Sequence, residues 1–96
     1  MVSDVKHQYP ATVDSAVRLL QDFVSAEEQE KIRLMKVDDL VELHFGLGQW
    51  VRNYFGLWGV NPALLLATGE RTADDASAVL IRAFWNELQC GLTKIH

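Results

Sequence analysis

The chain has 96 residues, nine Lys and Arg against 13 Asp and Glu, a formal net charge of −4 and 49% apolar residues. That length argues for one domain, and the composition is that of an ordinary globular protein rather than a disordered or fibrous one. The basic stripe that neutralises phosphates in nucleic-acid binders is missing, and so is the apolar run of about 18 residues that a membrane span needs. The first ten residues, MVSDVKHQYP, lack the charged-then-apolar order of a signal peptide, and the single Cys90 has no partner for an internal disulfide. A cytoplasmic location is expected.

Residues 1–11 are polar and hold Tyr9-Pro10, which favours extended geometry, so they read as an N-terminal arm. Thr12 is a candidate N-cap, and Val13, Ala16, Val17, Leu20 and Val24 then recur at helical spacing. Ser25 with Glu28 fits a capping box and opens a second, more charged helix to about Met35, with Ile32 and Met35 on its buried side. A third helix is predicted from Asp38-Asp39, carrying Leu40, Leu43, His44, Leu47, Val51, Tyr54 and Leu57 or Trp58, and stopping at Gly56 or Gly59. Asn61-Pro62 places an N-cap before a Pro at the first helical position, opening a short helix through Leu64, Leu65 and Leu66 that Thr68-Gly69 closes. Thr72 with Asp75 starts a last long helix through Ala76, Val79, Leu80, Ala83, Phe84 and Leu88 to about Gln89. No alternating strand pattern, repeat or long linker interrupts this series. The expected fold is all-α, a compact single-domain bundle of four to five helices over residues 12–90, with 91–96 as a C-terminal tail.

The acids bunch as Glu27, Glu28 and Glu30; Asp38, Asp39 and Glu42; and Glu70, Asp74 and Asp75. Each bunch suits a helix N-terminus, where negative charge is favoured by ~0.3–1 kcal/mol; the alternative is an acidic face that attracts a basic partner. No phosphate loop, Gly-x-Ser-x-Gly elbow or two-carboxylate arrangement is present. Gly46-Leu47-Gly48 follows a helical pattern rather than a strand and is no dinucleotide fingerprint. The three histidines, His7, His44 and His96, and Cys90 lack metal-ligand spacing. No metal, cofactor or catalytic residue is therefore assigned.

The stretch HFGLGQWVRNYFGLW, residues 44–58, concentrates the residues that need explaining. Glycine inside a helix costs roughly 1 kcal/mol against alanine. Gly46 and Gly48 therefore serve either a close approach by the last helix, with its Ala76, Ala78 and Ala83, or a concave spot for a ligand or partner side chain. His44 on the apolar stripe is a core histidine or, with a positioned partner, an acid–base group. Arg52, set among Trp50, Val51, Tyr54 and Phe55, is either buried and clamped to Asp74 or Asp75 or presented to an anion or partner carboxylate beside Trp50 or Trp58.

Tyr9-Pro10-Ala11-Thr12-Val13, the run HFGLGxWxRN from His44 to Asn53, Gly56-Leu57-Trp58-x-x-Asn61 and Asp74-Asp75-Ala76-Ser77 together resemble a family of short bacterial proteins classed as a domain of unknown function. The resemblance spans roughly residues 9–89. It implies no activity and no catalytic residue, but it associates the chain with small bacterial proteins found near toxin and defence genes. It also suggests that the Arg52-Asn53 and Asp74-Asp75 segments meet in space.

The function expected is a non-enzymatic bacterial binding protein, an immunity or antitoxin-like inhibitor or regulator that works by protein–protein contact. Its candidate partner- or ligand-binding residues are His44, Trp50, Arg52, Asn53, Trp58, Asn61, Asp74 and Asp75. The alternative is a small-ligand-binding protein or enzyme with a pocket around His44, Arg52, Asn53 and Trp58. A protein partner such as a cognate toxin is expected, with no nucleic acid and no membrane; a homo-oligomer is allowed.

Overall fold

Helix boundaries follow the capping chemistry of the sequence closely. The computed structural model describes residues 9–94, with side chains through Cys90; residues 1–8 of the arm and 95–96 of the tail lie outside that range. α1 spans Val13–Phe23 and starts on a reciprocal capping box, in which the Ser15 N–H donates to Thr12 Oγ1 at 3.1 Å and the Thr12 N–H donates to Ser15 Oγ at 3.2 Å. α2 spans Ala26–Arg33, and its N-cap Ser25 accepts the Glu28 N–H at 3.1 Å. The Gln29 amide reaches back to the Gln21 and Val24 carbonyls at 2.9 and 2.8 Å, satisfying acceptors left over at the end of α1.

The predicted third helix is divided. Val37–Leu43 winds as a 3₁₀ helix, residues 44–46 form a turn, and α3 runs only over Leu47–Tyr54. Gly46 is the N-cap of α3, at φ −92° and ψ −91°, rather than a residue of a helix interior. Splitting the segment at its least helix-prone residue lets the 3₁₀ helix and α3 each pack against α5. α3 ends in a Schellman turn, with Gly56 at φ 72°, the Leu57 N–H on the Arg52 carbonyl at 3.0 Å and the Gly56 N–H on the Asn53 carbonyl at 3.4 Å.

α4 spans Pro62–Thr68, capped by Asn61 at one end and by left-handed Gly69 at the other. α5 spans Ala73–Lys94, with the Asp75 N–H donating to Thr72 Oγ1 at 3.1 Å; it continues past the predicted end at Gln89. This helix packs against every other element. Its Ala76, Leu80 and Phe84 meet Ala16, Leu20, Ile32, Val51, Phe55 and Leu64 in a core where each is buried. Trp85 and Gln89 donate to the Met35 and Arg33 carbonyls at 2.9 and 2.8 Å, which ties the α2 end to α5. Five α-helices and one 3₁₀ helix form a single all-α domain, with no strand among the described residues.

Six of the nine bunched acids take helix-start positions, while Glu30 and Glu42 lie in the second half of their helices and Glu70 precedes α5. Glu27 and Glu28 lie in the first turn of α2, Asp38 and Asp39 in that of the 3₁₀ helix, and Asp74 and Asp75 in that of α5.

Candidate functional site

Arg52 leaves α3 on its inner side, and its side chain is 5% exposed. Its Nη1 donates to Ser77 Oγ at 3.0 Å and its Nη2 to the His44 carbonyl at 3.1 Å. Its Nε lies 3.4 Å from Asp74 Oδ1, an ion-pair distance without hydrogen-bond geometry, so Nε itself is left without an acceptor. Ser77 passes the connection on, its hydroxyl donating to the Asp74 carbonyl at 2.9 Å. One guanidinium thus joins the end of the 3₁₀ segment to the first turns of α5. The Arg52-Asn53 and Asp74-Asp75 segments do meet, through Arg52 and Asp74.

Gly48 makes this arrangement fit. A Cβ there would stand 3.0 Å from Arg52 Nη1, 3.3 Å from the Leu43 carbonyl and 3.6 Å from Ile81 Cδ1. The space is filled by the Arg52 side chain one turn on, with Ile81 the contact from α5, rather than by a helix backbone closing in at Ala76, Ala78 or Ala83. Gly46 is different: a Cβ there would meet nothing within 4 Å, so close packing does not account for it.

The outer side of the same segment is aromatic and open. Trp58 is 64% exposed, yet its Nε1 donates to Asn53 Oδ1 at 2.7 Å, which fixes the indole on the surface. The Arg52 guanidinium carbon lies 6.0 Å from the Trp58 ring centroid, at the outer limit of a cation–π contact. In the turn, Phe45 is 83% exposed and stands edge-on to the half-buried His44 ring, with Val41 exposed one turn earlier. The backbone of His44 and the ring of Trp58 therefore both border the Arg52 head, bringing His44, Arg52, Asn53, Trp58 and Asp74 into one neighbourhood.

The turn also divides two concavities. A cleft of about 620 Å³ between the 3₁₀ helix and α5 is lined by Val37, Val41, His44, Asp75 and Ser77 among others. A groove of about 560 Å³ on the other side involves the ends of α1 and α2 and the start of α3. Trp50 belongs to that second side: it stacks on Tyr54 with centroids 4.7 Å apart and leans on Phe23 at 5.7 Å.

Asn61 stands apart from both. It is buried, with Nδ2 donating to the Pro10 and Phe55 carbonyls at 2.9 and 2.8 Å and Oδ1 accepting the Leu64 N–H at 3.3 Å. Those bonds fasten the incoming arm to the end of α3 and the start of α4. Sequence reasoning passed over Ser77, whose signal was a lone hydroxyl in the alanine-rich start of α5, and Phe45, whose exposure no periodicity reveals.

Among the described residues no three His, Cys, Asp or Glu are grouped to hold a metal ion, and no helix is long and apolar enough to cross a membrane; His7 and His96 lie outside the described residues. Residues 9–88 match the model of the family described as Domain of unknown function (DUF6794), and the chain belongs to that family. No curated protein and no solved structure matches the chain.

Proposed function

We propose that this family member is a non-enzymatic bacterial binding protein, cytoplasmic, acting by protein–protein contact in the manner of an immunity or antitoxin-like inhibitor. The observation that carries the reading is the outward display of Phe45 and Trp58, the first next to His44, whose carbonyl holds Arg52, and the second 6.0 Å from the Arg52 guanidinium carbon. Leaving large rings in water is unfavourable, and rigid aromatics beside Arg are the side chains that dominate protein interfaces. Because Asn53 already holds the Trp58 indole, little side-chain freedom is lost when a partner covers it. Net acidity supports a basic partner by steering its approach.

The small-ligand reading draws on one feature, that His44, Asp75 and Ser77 share the cleft beside α5. It is the weaker of the two, since Arg52, the natural anion holder, is turned into the protein and spends donors on His44 and Ser77.

The test is capture of the partner from the native host, followed by calorimetric titration of wild type and a Phe45→Ser, Trp58→Ala variant. Loss of two hot-spot rings is expected to weaken binding by about 2 kcal/mol or more, roughly thirtyfold, with folding retained. A partner that binds the variant as well as wild type would overturn the assignment of this face.

A further inference from the structure

The two concavities beside the His44–Gly46 turn differ in charge. The cleft against α5 mixes Asp38, Glu70 and Asp75 with Arg82 and His44. The groove on the other side has an apolar wall of Ile32, Leu43, Leu47 and Trp50, and among the described residues its charged lining is Glu28 and Glu42. Among the described residues Glu28 pairs with Lys31, at 3.9 Å with both side chains more than half exposed, a pairing of little strength. Glu42 makes no ion pair among the described residues. Gly46 lines this groove too, and a Cβ there would meet nothing within 4 Å.

We propose that this groove seats a basic amphipathic helix of the partner protein, its apolar residues against Leu43, Leu47 and Trp50 and its Lys or Arg heads at Glu28 and Glu42. The inference rests on the protein-contact reading and deepens it by assigning the partner's chemistry. An apolar groove receives the apolar stripe of a helix, and anchors at three- and four-residue spacing supply the affinity. Carboxylates on such a groove reject acidic segments and fix the orientation of basic ones, since like charges brought together across an interface are costly. The exposed Phe23 at the end of α1 extends the apolar wall, and Trp50 adds an aromatic ring that also attracts cations.

The test uses the full chain, labelled with nitrogen-15, and a synthetic helix of roughly 18 residues patterned from Leu and Lys, long enough to hold helical form. A helix with Glu in place of every Lys is the comparison. The Lys helix is expected to shift the Trp50 indole N–H and the amides of Leu43 and Gly46, and the Glu helix to leave them in place. A Glu28→Lys, Glu42→Lys variant is expected to bind the Lys helix about tenfold or more weakly while still melting cooperatively, its melting temperature lowered by only a few degrees by the lost first-turn acid. A charge-matched Glu27→Lys, Asp39→Lys variant, altered outside the groove, is expected to keep most of the binding. Shifts centred on Val41 and Val79 in the other cleft, equal binding of the two helices, or equal weakening by both variants would overturn the proposal. The native partner separates this from the reading beneath it. A partner lost by the Phe45→Ser, Trp58→Ala variant but indifferent to Glu28→Lys, Glu42→Lys removes the groove assignment alone, whereas one indifferent to Phe45→Ser, Trp58→Ala removes the contact face itself.

Discussion

Arg52 and Asn53 are neighbours in the chain and play opposite parts, one turned inward and the other outward. Arg52 is buried and spends its donors on the His44 carbonyl and Ser77, while Asn53 is exposed and holds the indole of Trp58. One residue along an α-helix is a rotation of about 100°, enough to separate a structural clamp from a surface mount. The same contrast recurs between Asn53 and Asn61, since Asn61 is buried and makes three hydrogen bonds to backbone groups. Polar residue type therefore says little about role here. The direction in which the backbone aims each side chain says most of it.

The sharpest break of this comparison is Asn61→Ala against Asn53→Ala. The first strands the Pro10 and Phe55 carbonyls and the Leu64 N–H, and is expected to cost about 3 kcal/mol. The second loses one exposed bond and is expected to stay within about 0.5 kcal/mol. Thermal or urea melts of both variants measure it, and similar losses would erase the distinction between inward and outward polar groups.

Arg52→Ala comes next, at about 2–3 kcal/mol from lost hydrogen bonds and vacated volume, a fall of roughly 10–20 °C in melting temperature for a domain this size. Asp74→Ala is expected to cost less, about 0.5–1 kcal/mol, because the carboxylate is 59% exposed and already well solvated. If Arg52→Ala melts within a degree or two of wild type, Arg52 is no clamp.

Gly48 sharpens the same point through a double-mutant cycle. Gly48→Ala in wild type sets its gain in helix propensity against a contact 3.0 Å from Arg52 Nη1, and a net loss of about 1 kcal/mol is expected. In an Arg52→Ala background the Nη1 contact is gone while the Leu43 carbonyl at 3.3 Å remains, so Gly48→Ala should become close to neutral. Additive effects would mean that Gly48 does not make room for Arg52.

The smallest effect belongs to a surface pair away from either side of α3. Arg33 Nε donates to Glu30 Oε1 at 2.9 Å, and this bond holds the Glu30 pKa below, and the Arg33 pKa above, their ordinary values. A carboxyl whose folded pKa is lowered adds stability above its unfolded pKa and loses that contribution as pH falls through the folded one. Acid melts of Glu30→Gln should therefore show a slightly shallower decline than wild type across the carboxylate range. A steeper decline would reverse the sign.

Much of the fold was legible because its signals are local. Thr12, Ser25, Asn61-Pro62, Gly56, Gly69 and Thr72 each act on backbone groups within a few residues, so spacing alone locates the helix ends. The middle was misjudged for an equally specific reason. Leu40, Leu43, Leu47 and Val51 keep helical spacing across the turn at residues 44–46, because the 3₁₀ helix and α3 both present apolar residues to α5. Periodicity records which positions are apolar and is blind to a change of winding between them.

The sequence by itself determined an all-α domain and the starts and stops of most helices, since capping and helical period are properties of short segments; it left Arg52 between a clamp and a presented side chain, and the long-range contact with Asp74 came from the tertiary structure. Only the tertiary structure decided which way each side chain of HFGLGQWVRNYFGLW faces. Burial depends on what the far end of the chain brings near: Ser77 and Ile81 arrive from α5 to enclose Arg52 and Gly48, and among the described residues Phe45 and Trp58 stay exposed.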